Sequence, residues 1–210
     1  MSTPRLRIEP MSVVDIPGVH EIERASFPVP WPAYAFRQEI ETNKLARYLV
    51  VKSGTRIVAY GGIWLMVDEA HVTTFAVLPA WRRKGIGALL MLAIMDLSRD
   101  VGAREVTLEV RLSNIAARTL YQRFGFRPVG VRPRYYSDNG EDALIMTTEP
   151  ITSPPMVARV EALRDRYLAE DVAGTAGDHA GRSGSADRSR GRRGAASGAD
   201  RSAARPETGA

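Results

Sequence analysis

The chain has 210 residues, a formal net charge of +5, a pI of about 9.8 and 44% hydrophobic residues. That length suits one ordinary domain with an appendage, and the apolar share is enough for a packed core. The absence of cysteine excludes disulfide scaffolding, thiolate metal sites and a Cys nucleophile, and three scattered histidines (His20, His71, His179) argue against a metal centre.

The N-terminus, M-S-T-P-R-L-R-I-E-P, lacks the apolar run of a signal peptide. No apolar stretch approaches the ~18 residues of a membrane span. The expectation is a soluble cytoplasmic protein that contacts no membrane. Lysine occurs only at Lys44, Lys52 and Lys84, and arginine supplies the rest of the positive charge. Such a balance suits anionic ligands or a nucleic-acid-rich neighbourhood. A genome-wide preference for Arg codons gives the same balance.

Residues 1–150 read as an α/β domain. Arg5 to Glu9 reads as a strand, and Val13 to Ser26 as a helix with Ser12 at its N-cap and Asp15 in its first turn. Phe27 to Pro32, F-P-V-P-W-P, is a rigid loop because three prolines break any ladder. Ala33 to Glu41 reads as a second helix. Arg47 to Lys52 and Arg56 to Met66 read as strands joined at Ser53-Gly54. His71 to Leu78 is the next strand, followed by a basic loop and a helix from Gly87 to about Val101, ended by Gly102. Glu105 to Arg111 is a strand, Asn114 to Phe124 a helix stopped by Gly125, and Arg127 to Arg132 and Ala143 to Thr148 the last strands. Several consecutive strands ahead of a β-α-β-α-β run give a mixed sheet with helices on both faces.

Composition changes near residue 150. Residues 151–172 read as a linker with a short amphipathic helix from Met156 to Leu168, apolar at Val157, Val160, Leu163 and Leu168. Between Ala173 and Ala210 there is no Leu, Ile, Val, Met, Phe, Tyr or Trp, and Ala, Gly, Ser and Pro fill 24 of the 38 positions. Such a segment cannot bury enough apolar surface to offset its ordering entropy, so it reads as a disordered tail. Its Arg190-Gly191 and Arg193-Gly194 steps suit weak RNA contact; a solvated tail without a specific role has the same composition.

The stretch F-A-V-L-P-A-W-R-R-K-G-I-G-A, Phe75 to Ala88, carries the strongest chemical signal. It reads as strand, positive glycine-bearing loop and helix N-terminus, an arrangement that favours an anion through free N–H groups and the helix dipole. No G-K-[ST] triplet follows a longer glycine loop, and Leu90 stands where a dinucleotide fingerprint needs a third Gly or Ala. What remains is R-x-x-G-x-G at Arg82, Gly85 and Gly87, with Ala88 next. An ordinary loop with glycines in special dihedrals looks the same.

Period two along Glu105–Arg111 puts Val106, Leu108 and Val110 on one face and Thr107, Glu109 and Arg111 on the other. Glu109 stands near the strand's C-terminal end, where open α/β sheets bind ligands, so it is a candidate general base. A solvent-facing Glu in an edge-like strand fits the pattern too. In S-N-I-A-A-R-T-L-Y-Q-R-F-G-F, Ala116, Leu120 and Phe124 share one stripe, with Ala117 and Tyr121 beside it. Tyr121 suits a proton donor or a packing residue.

In combination, R-R-K-G-I-G, L-E-V-R-x-S-N-x-x-A, L-Y-x-x-F-G-F, R-x-Y-Y, G-E-D-A-L-I-M and an early F-P-x-P-W resemble the GNAT acetyltransferases. Within them they resemble the RimI-type enzymes, which modify the N-terminal α-amine of a ribosomal protein. The resemblance covers about residues 5–149 and implies a sheet splayed open between two parallel strands. It implies that acetyl-CoA lies in the opening, with its pyrophosphate on the amides of Arg83, Lys84, Gly85, Ile86, Gly87 and Ala88 beside Arg82. Its pantetheine arm would pair with Phe75, Ala76 and Val77, with an amide near Val77 at the thioester carbonyl and Asn114 bonded to the arm. Glu109 is implied as general base and Tyr121 as general acid, with direct transfer and no metal. The substrate terminus would lie between Trp31 and the turn holding Tyr135 and Tyr136. The RimI-type group often has Gln at the loop's first position, where this chain has Arg82. The implied reaction is acetylation of a protein N-terminus, with the Ala terminus of a small-subunit ribosomal protein favoured. Acetylation of lysine side chains or small amines, and a non-catalytic acyl-CoA-binding ribosome-associated module, are the alternatives.

Overall fold

The computed structural model describes residues 5–176. Ser12 opens the first helical segment: its amide and hydroxyl both donate to Asp15 Oδ2, at 2.9 and 2.8 Å. A 3-10 turn, Val13–Asp15, precedes helix α1 (Ile16–Ser26). The break follows from Pro17, which lacks an N–H and is tolerated only in the first turn of an α-helix. Lys52 Nζ lies 2.9 Å from both Asp15 Oδ1 and Glu9 Oε2, tying this start to two strands. Burial pushes Asp15 upward, but Lys52 and Ser12 outweigh it and hold the carboxyl below its ordinary value.

Helix α2 spans Ala33–Glu41. The strands are β1 (Leu6–Pro10), β2 (Ala46–Ser53), β3 (Arg56–Met66), β4 (Glu69–Val77), β5 (Glu105–Arg111), β6 (Arg127–Arg132) and β7 (Ala143–Thr147). Helices α3 (Ile86–Asp100) and α4 (Ile115–Arg123) follow β4 and β5. Strand β4 begins two residues ahead of the sequence expectation. Met66 pairs with Glu69 across a two-residue turn in which Val67 takes φ +60°. The turn uses the left-handed region without a glycine, so the sequence carries no punctuation there.

One mixed sheet results, in the order β1-β2-β3-β4-β5-β7-β6. Every neighbouring pair is antiparallel except β4 and β5. One face carries a core of Val72, Leu90, Ile94, Val106, Leu108, Tyr121 and others beneath α3 and α4. The opposite face carries Val19, Ile22, Phe36, Tyr48 and Tyr60 beneath α1 and α2. Gly62 pairs with Thr74 and Ile63 with Val72, which leaves Thr73 as an extra residue in β4. This bulge changes the strand's phase. Ala70 and Val72 face α3 ahead of it, and Phe75 faces α3 beyond it, while Ala76 and Leu78 turn to the α1 side.

The parallel pairing of β4 with β5 is short: Glu69 with Glu105, Ala70 with Val106, and His71 with Thr107. Beyond these residues β4 stays with β3, and β5 stays with β7. Two strand edges therefore open into a V whose apex lies at His71 and Thr107.

Helix α5 spans Pro154–Ala176, longer than the Met156–Leu168 segment expected from apolar spacing and four residues into the stretch expected to be disordered. Two prolines open it in the turn where no intrahelical N–H is needed. Met156, Val160 and Tyr167 join the α3-side core, and Arg164 Nη2 lies 2.7 Å from Asp96 Oδ1. Gly125, at φ +88° after α4, leaves space that a Cβ would take from the Met156 sulfur at 2.7 Å. The remainder of the expected tail, with its Arg-Gly steps, lies outside the described residues. Met156→Ala should destabilise the domain by about 2–5 kcal/mol through cavity formation, measured by denaturant unfolding; an unchanged midpoint would show that α5 adds nothing to the core.

Candidate active site

The loop ahead of α3 is built for close backbone approach to an anion. Arg83 takes φ +62° and Gly85, at the N-cap of α3, φ +78°. Alternating backbone hands of this kind turn successive N–H groups into one concavity. The first amides bonded onto the helix are those of Ala88 and Leu89, both on the Gly85 carbonyl at 2.9 and 3.0 Å. The amides of residues 83–87 lie ahead of that ladder, at the positive end of the helix dipole. Arg83 and Lys84 are exposed on the rim, with Lys84 Nζ 5.1 Å from the centre of the Trp81 ring. Arg82 turns away from the concavity. Its Nε donates to the Val77 carbonyl at 3.0 Å and its Nη2 to Ser26 Oγ at 3.3 Å.

The open edge of β4 follows from alternation. Leu78 donates its amide to Val58 of β3 at 2.8 Å. Successive strand amides point in opposite directions, so the Val77 and Phe75 amides face away from β3, into the V, and the Ala76 amide faces β3. A chain-like ligand entering the V meets donors spaced two residues apart.

Glu109 stands two residues past the apex on β5. It is fully buried, not solvent-facing. His71 Nε2 lies 2.8 Å from its Oε2, and Arg132 Nη2 lies 3.2 Å from its Oε1. Neither oxygen has a hydrogen bond of good angle in the structure. A buried carboxylate beside cationic or imidazole groups but without aligned donors keeps lone pairs open to an incoming donor. The sequence reading treated His71 as a scattered histidine. Only the three-residue parallel register brings it beside Glu109, and one sequence carries no signal of register.

Tyr121 lies on the other face of the sheet. It is buried, with its ring 6.1 Å from Phe75 and 5.8 Å from Phe126. Thus the two candidate proton-transfer groups flank the V from opposite faces. Asn114 is the N-cap of α4, accepting the Ala117 amide at 3.0 Å through Oδ1.

Pro28 and Val29 of the proline loop meet Arg111, Tyr135, Tyr136, Ser137 and Asp138 around a small cleft. The two segments expected to frame the substrate terminus therefore face each other. Trp31 does not line that cleft; it packs 5.5 Å from Phe36 in the α1-side core. Tyr136 is buried under the Arg111 guanidinium, 3.8 Å from its ring centre, and Tyr135 is half-buried beside it. Arg111 also reaches Asp138 at 2.7 Å and Glu141 at 3.3 Å. Arg111 thereby fixes the turn after β6, a role that the alternation of β5 alone does not reveal. Burial acts to raise the Glu141 carboxyl, but Ser113, Arg111 and Asn139 together hold it below its ordinary value. Among the described residues no group of three or more His, Asp or Glu is placed to hold a metal ion, and no helix is long and apolar enough to cross a membrane.

The model of the acetyltransferase (GNAT) family matches residues 16–126, and the chain belongs to that family. A Bacillus subtilis (strain 168) protein provisionally named ribosomal protein bS18-alanine N-acetyltransferase is 43% identical over 136 residues, covering 65% of this chain and 90% of the relative. The Escherichia coli (strain K12) ribosomal protein bS18-alanine N-acetyltransferase is 33% identical over 144 residues, covering 66% of this chain and 94% of its own. The crystal structure of the E. coli enzyme superposes with a TM-score of 0.65 at 29% identity, over 71% of this chain and 96% of that one. The PaiA N-acetyltransferase of Thermoplasma acidophilum, solved with coenzyme A, shares the fold at TM-score 0.55 and 18% identity, over 69% of this chain and 99% of that one.

The depressed Glu141 fixes the sign of one pH effect. A carboxyl whose folded pKa lies below its unfolded value contributes stability above the unfolded value, and that contribution is lost as pH falls through the folded one. Denaturant midpoints should fall on acidification below an ordinary Glu value of 4.5. In Arg111→Gln the midpoint should be lower at neutral pH and the acid loss shallower. Parallel curves for both proteins would remove Arg111 from that role.

Proposed function

We propose that the chain transfers an acetyl group from acetyl-CoA to the α-amine of a protein N-terminus, with the Ala terminus of a small-subunit ribosomal protein as substrate. The observation that carries this reading is the buried Glu109 carboxylate, without an aligned hydrogen bond, two residues past the apex of the V. Support for the substrate comes from relatives matched over about nine-tenths of their length that are named for acetylating the alanine of bS18. The family and the coenzyme-A-bound neighbour support acetyl-CoA as co-substrate.

Acetyl-CoA supplies the acetyl group as a thioester. The amides of residues 83–87 hold its pyrophosphate, with Arg83 and Lys84 adding charge at the rim, while the Ala88 amide is taken by the Gly85 carbonyl. The amides of Phe75 and Val77 bond its pantetheine arm, and that of Val77 stands at the carbonyl. Asn114 contributes to the same arm. Arg82 acts through the backbone, bracing the Val77 carbonyl against the end of α1.

Glu109 accepts a proton from the substrate ammonium, which frees the nitrogen lone pair for attack on the acetyl carbonyl. Attack forms the C–N bond. As the tetrahedral centre collapses the C–S bond breaks, and Tyr121, from the opposite face, gives its hydroxyl proton to the departing sulfur. The second proton lost from the new amide nitrogen returns to the Tyr121 phenolate. The peptide enters between Pro28-Val29 and the Tyr135–Asp138 turn. Trp31 shapes that entrance by packing behind the proline loop. Transfer is direct and needs no metal.

Glu109→Gln and Tyr121→Phe should each lower kcat by roughly 10²-fold or more, the usual scale for acid–base groups. Full activity in both purified variants would remove the mechanism. An N-terminal Ala peptide should turn over, and its N-blocked, Lys-containing twin should not. The reverse preference would transfer the reading to lysine acetylation, and CoA binding without turnover of either would make it a binding module.

A further inference from the structure

Burial of Glu109 poses a question of proton traffic. A base with no solvent contact must discharge its proton at every turnover, and its contacts decide where the proton goes. Arg132 has no acceptor and stays charged, so it cannot take the proton from Oε1. The group at Oε2 is His71, at 2.8 Å. Its other ring nitrogen, Nδ1, lies 3.9 Å from Glu69 Oε1. The side chains in this row are 1%, 11% and 36% exposed for Glu109, His71 and Glu69, so it runs from the buried carboxylate past the apex to the surface beside the Val67 turn.

We propose that His71 is the proton-accepting positioning residue for Glu109, drawing the substrate's proton through the back of the V and releasing it to solvent beside Glu69. This rests on the reading of Glu109 as the general base. In the first step an N–H bond of the substrate ammonium breaks and an O–H bond forms on Glu109. That bond then breaks as Nε2–H forms, leaving Glu109 anionic and His71 as imidazolium. Neutral His71 accepts at Nε2 while carrying its proton on Nδ1. Loss of that Nδ1 proton to solvent beside Glu69 leaves the Nε2–H tautomer. A turn of the ring that carries this N–H to solvent for exchange restores the Nδ1–H form that accepts the next proton. Peptide and acetyl-CoA fill the front of the V, so a rear exit lets the base reset while either is bound.

The charged groups around the pair are few. Glu69 lies on β4 and Arg132 on β6, with Arg132 half-exposed. Arg111, next on the same face of β5, is committed to Asp138 and Glu141. Trp64 of β3, the cross-strand partner of His71, is uncharged and donates its indole N–H to Glu39 of α2. From β7, the residue opposite Glu109 is Ile145. Imidazole is the group in this set that presents both an acceptor nitrogen and a donor N–H.

The test compares the full chain with His71→Gln, His71→Ala and Glu109→Gln, using an N-terminal Ala peptide and acetyl-CoA from about pH 6 to pH 9.5. His71→Gln should lower kcat by roughly 10-fold or more, leave both KM values within about twofold, and displace the acid limb of the kcat profile. His71→Ala should regain rate saturably with added imidazole, which should not accelerate the wild type. Thermal melting and CoA binding establish that each variant is folded; if His71→Gln is not, imidazole rescue of His71→Ala decides. A wild-type kcat and pH profile in His71→Gln overturns the proposal, as does a loss that imidazole does not restore. An inactive Glu109→Gln beside a fully active His71→Gln removes His71 alone, whereas an active Glu109→Gln removes the base on which the proposal rests.

Discussion

Beyond His71 and Thr107 the two central strands stop pairing while each remains bound to its outer neighbour. Backbone N–H and C=O groups inside a protein must find partners, so two facing edges cannot collapse onto apolar side chains. They call for something polar and chain-like between them. Much of the molecule keeps the gap from closing. Phe75 and Tyr121 wedge it from the α4 side, and the bulge at Thr73 turns Phe75 to meet that helix. The Arg111 cluster stiffens the far strand at its open end. A continuous sheet from the same strands would offer no entry for a ligand arm.

The alternation of β5 gives its two faces different surroundings. Val106, Leu108 and Val110 are buried on the α3 side, while Glu109 meets His71 and Arg132 on the other face. Tyr121 belongs to the first face. A carboxylate and a phenol in direct contact would satisfy each other, and neither would be available to a substrate. Separation across the sheet keeps both groups directed at the V.

Much of this arrangement is written locally in the chain. The bounds of β5, β6 and α2 follow from alternation and helix signals, and Asn114 and Gly125 mark the ends of α4 because capping is a short-range property. The motifs from Arg82 to Met146 carry the family. Long-range matters are not legible in that way. The pairing of His71 with Glu109 depends on parallel register, and the inward turn of Arg82 depends on where α1 ends. Helix α5 outruns its apolar pattern at both ends, and within that pattern Tyr167 and the Arg164–Asp96 pair add contacts that a count of aliphatic residues misses.

Arg82 joins two loops that lie far apart in the chain. Its guanidinium reaches Ser26, the last residue of α1 and the one before the proline loop, while its backbone begins the loop ahead of α3. It also grips the carbonyl of Val77, where the open edge of β4 ends. A strut between two loops makes their positions one variable instead of two. If the loop ahead of α3 holds an anion and the proline loop flanks a peptide, as proposed, whatever settles the first settles the second, and by the reciprocity of linked equilibria the influence runs equally the other way. The two ligands would communicate through one side chain before either touched the other.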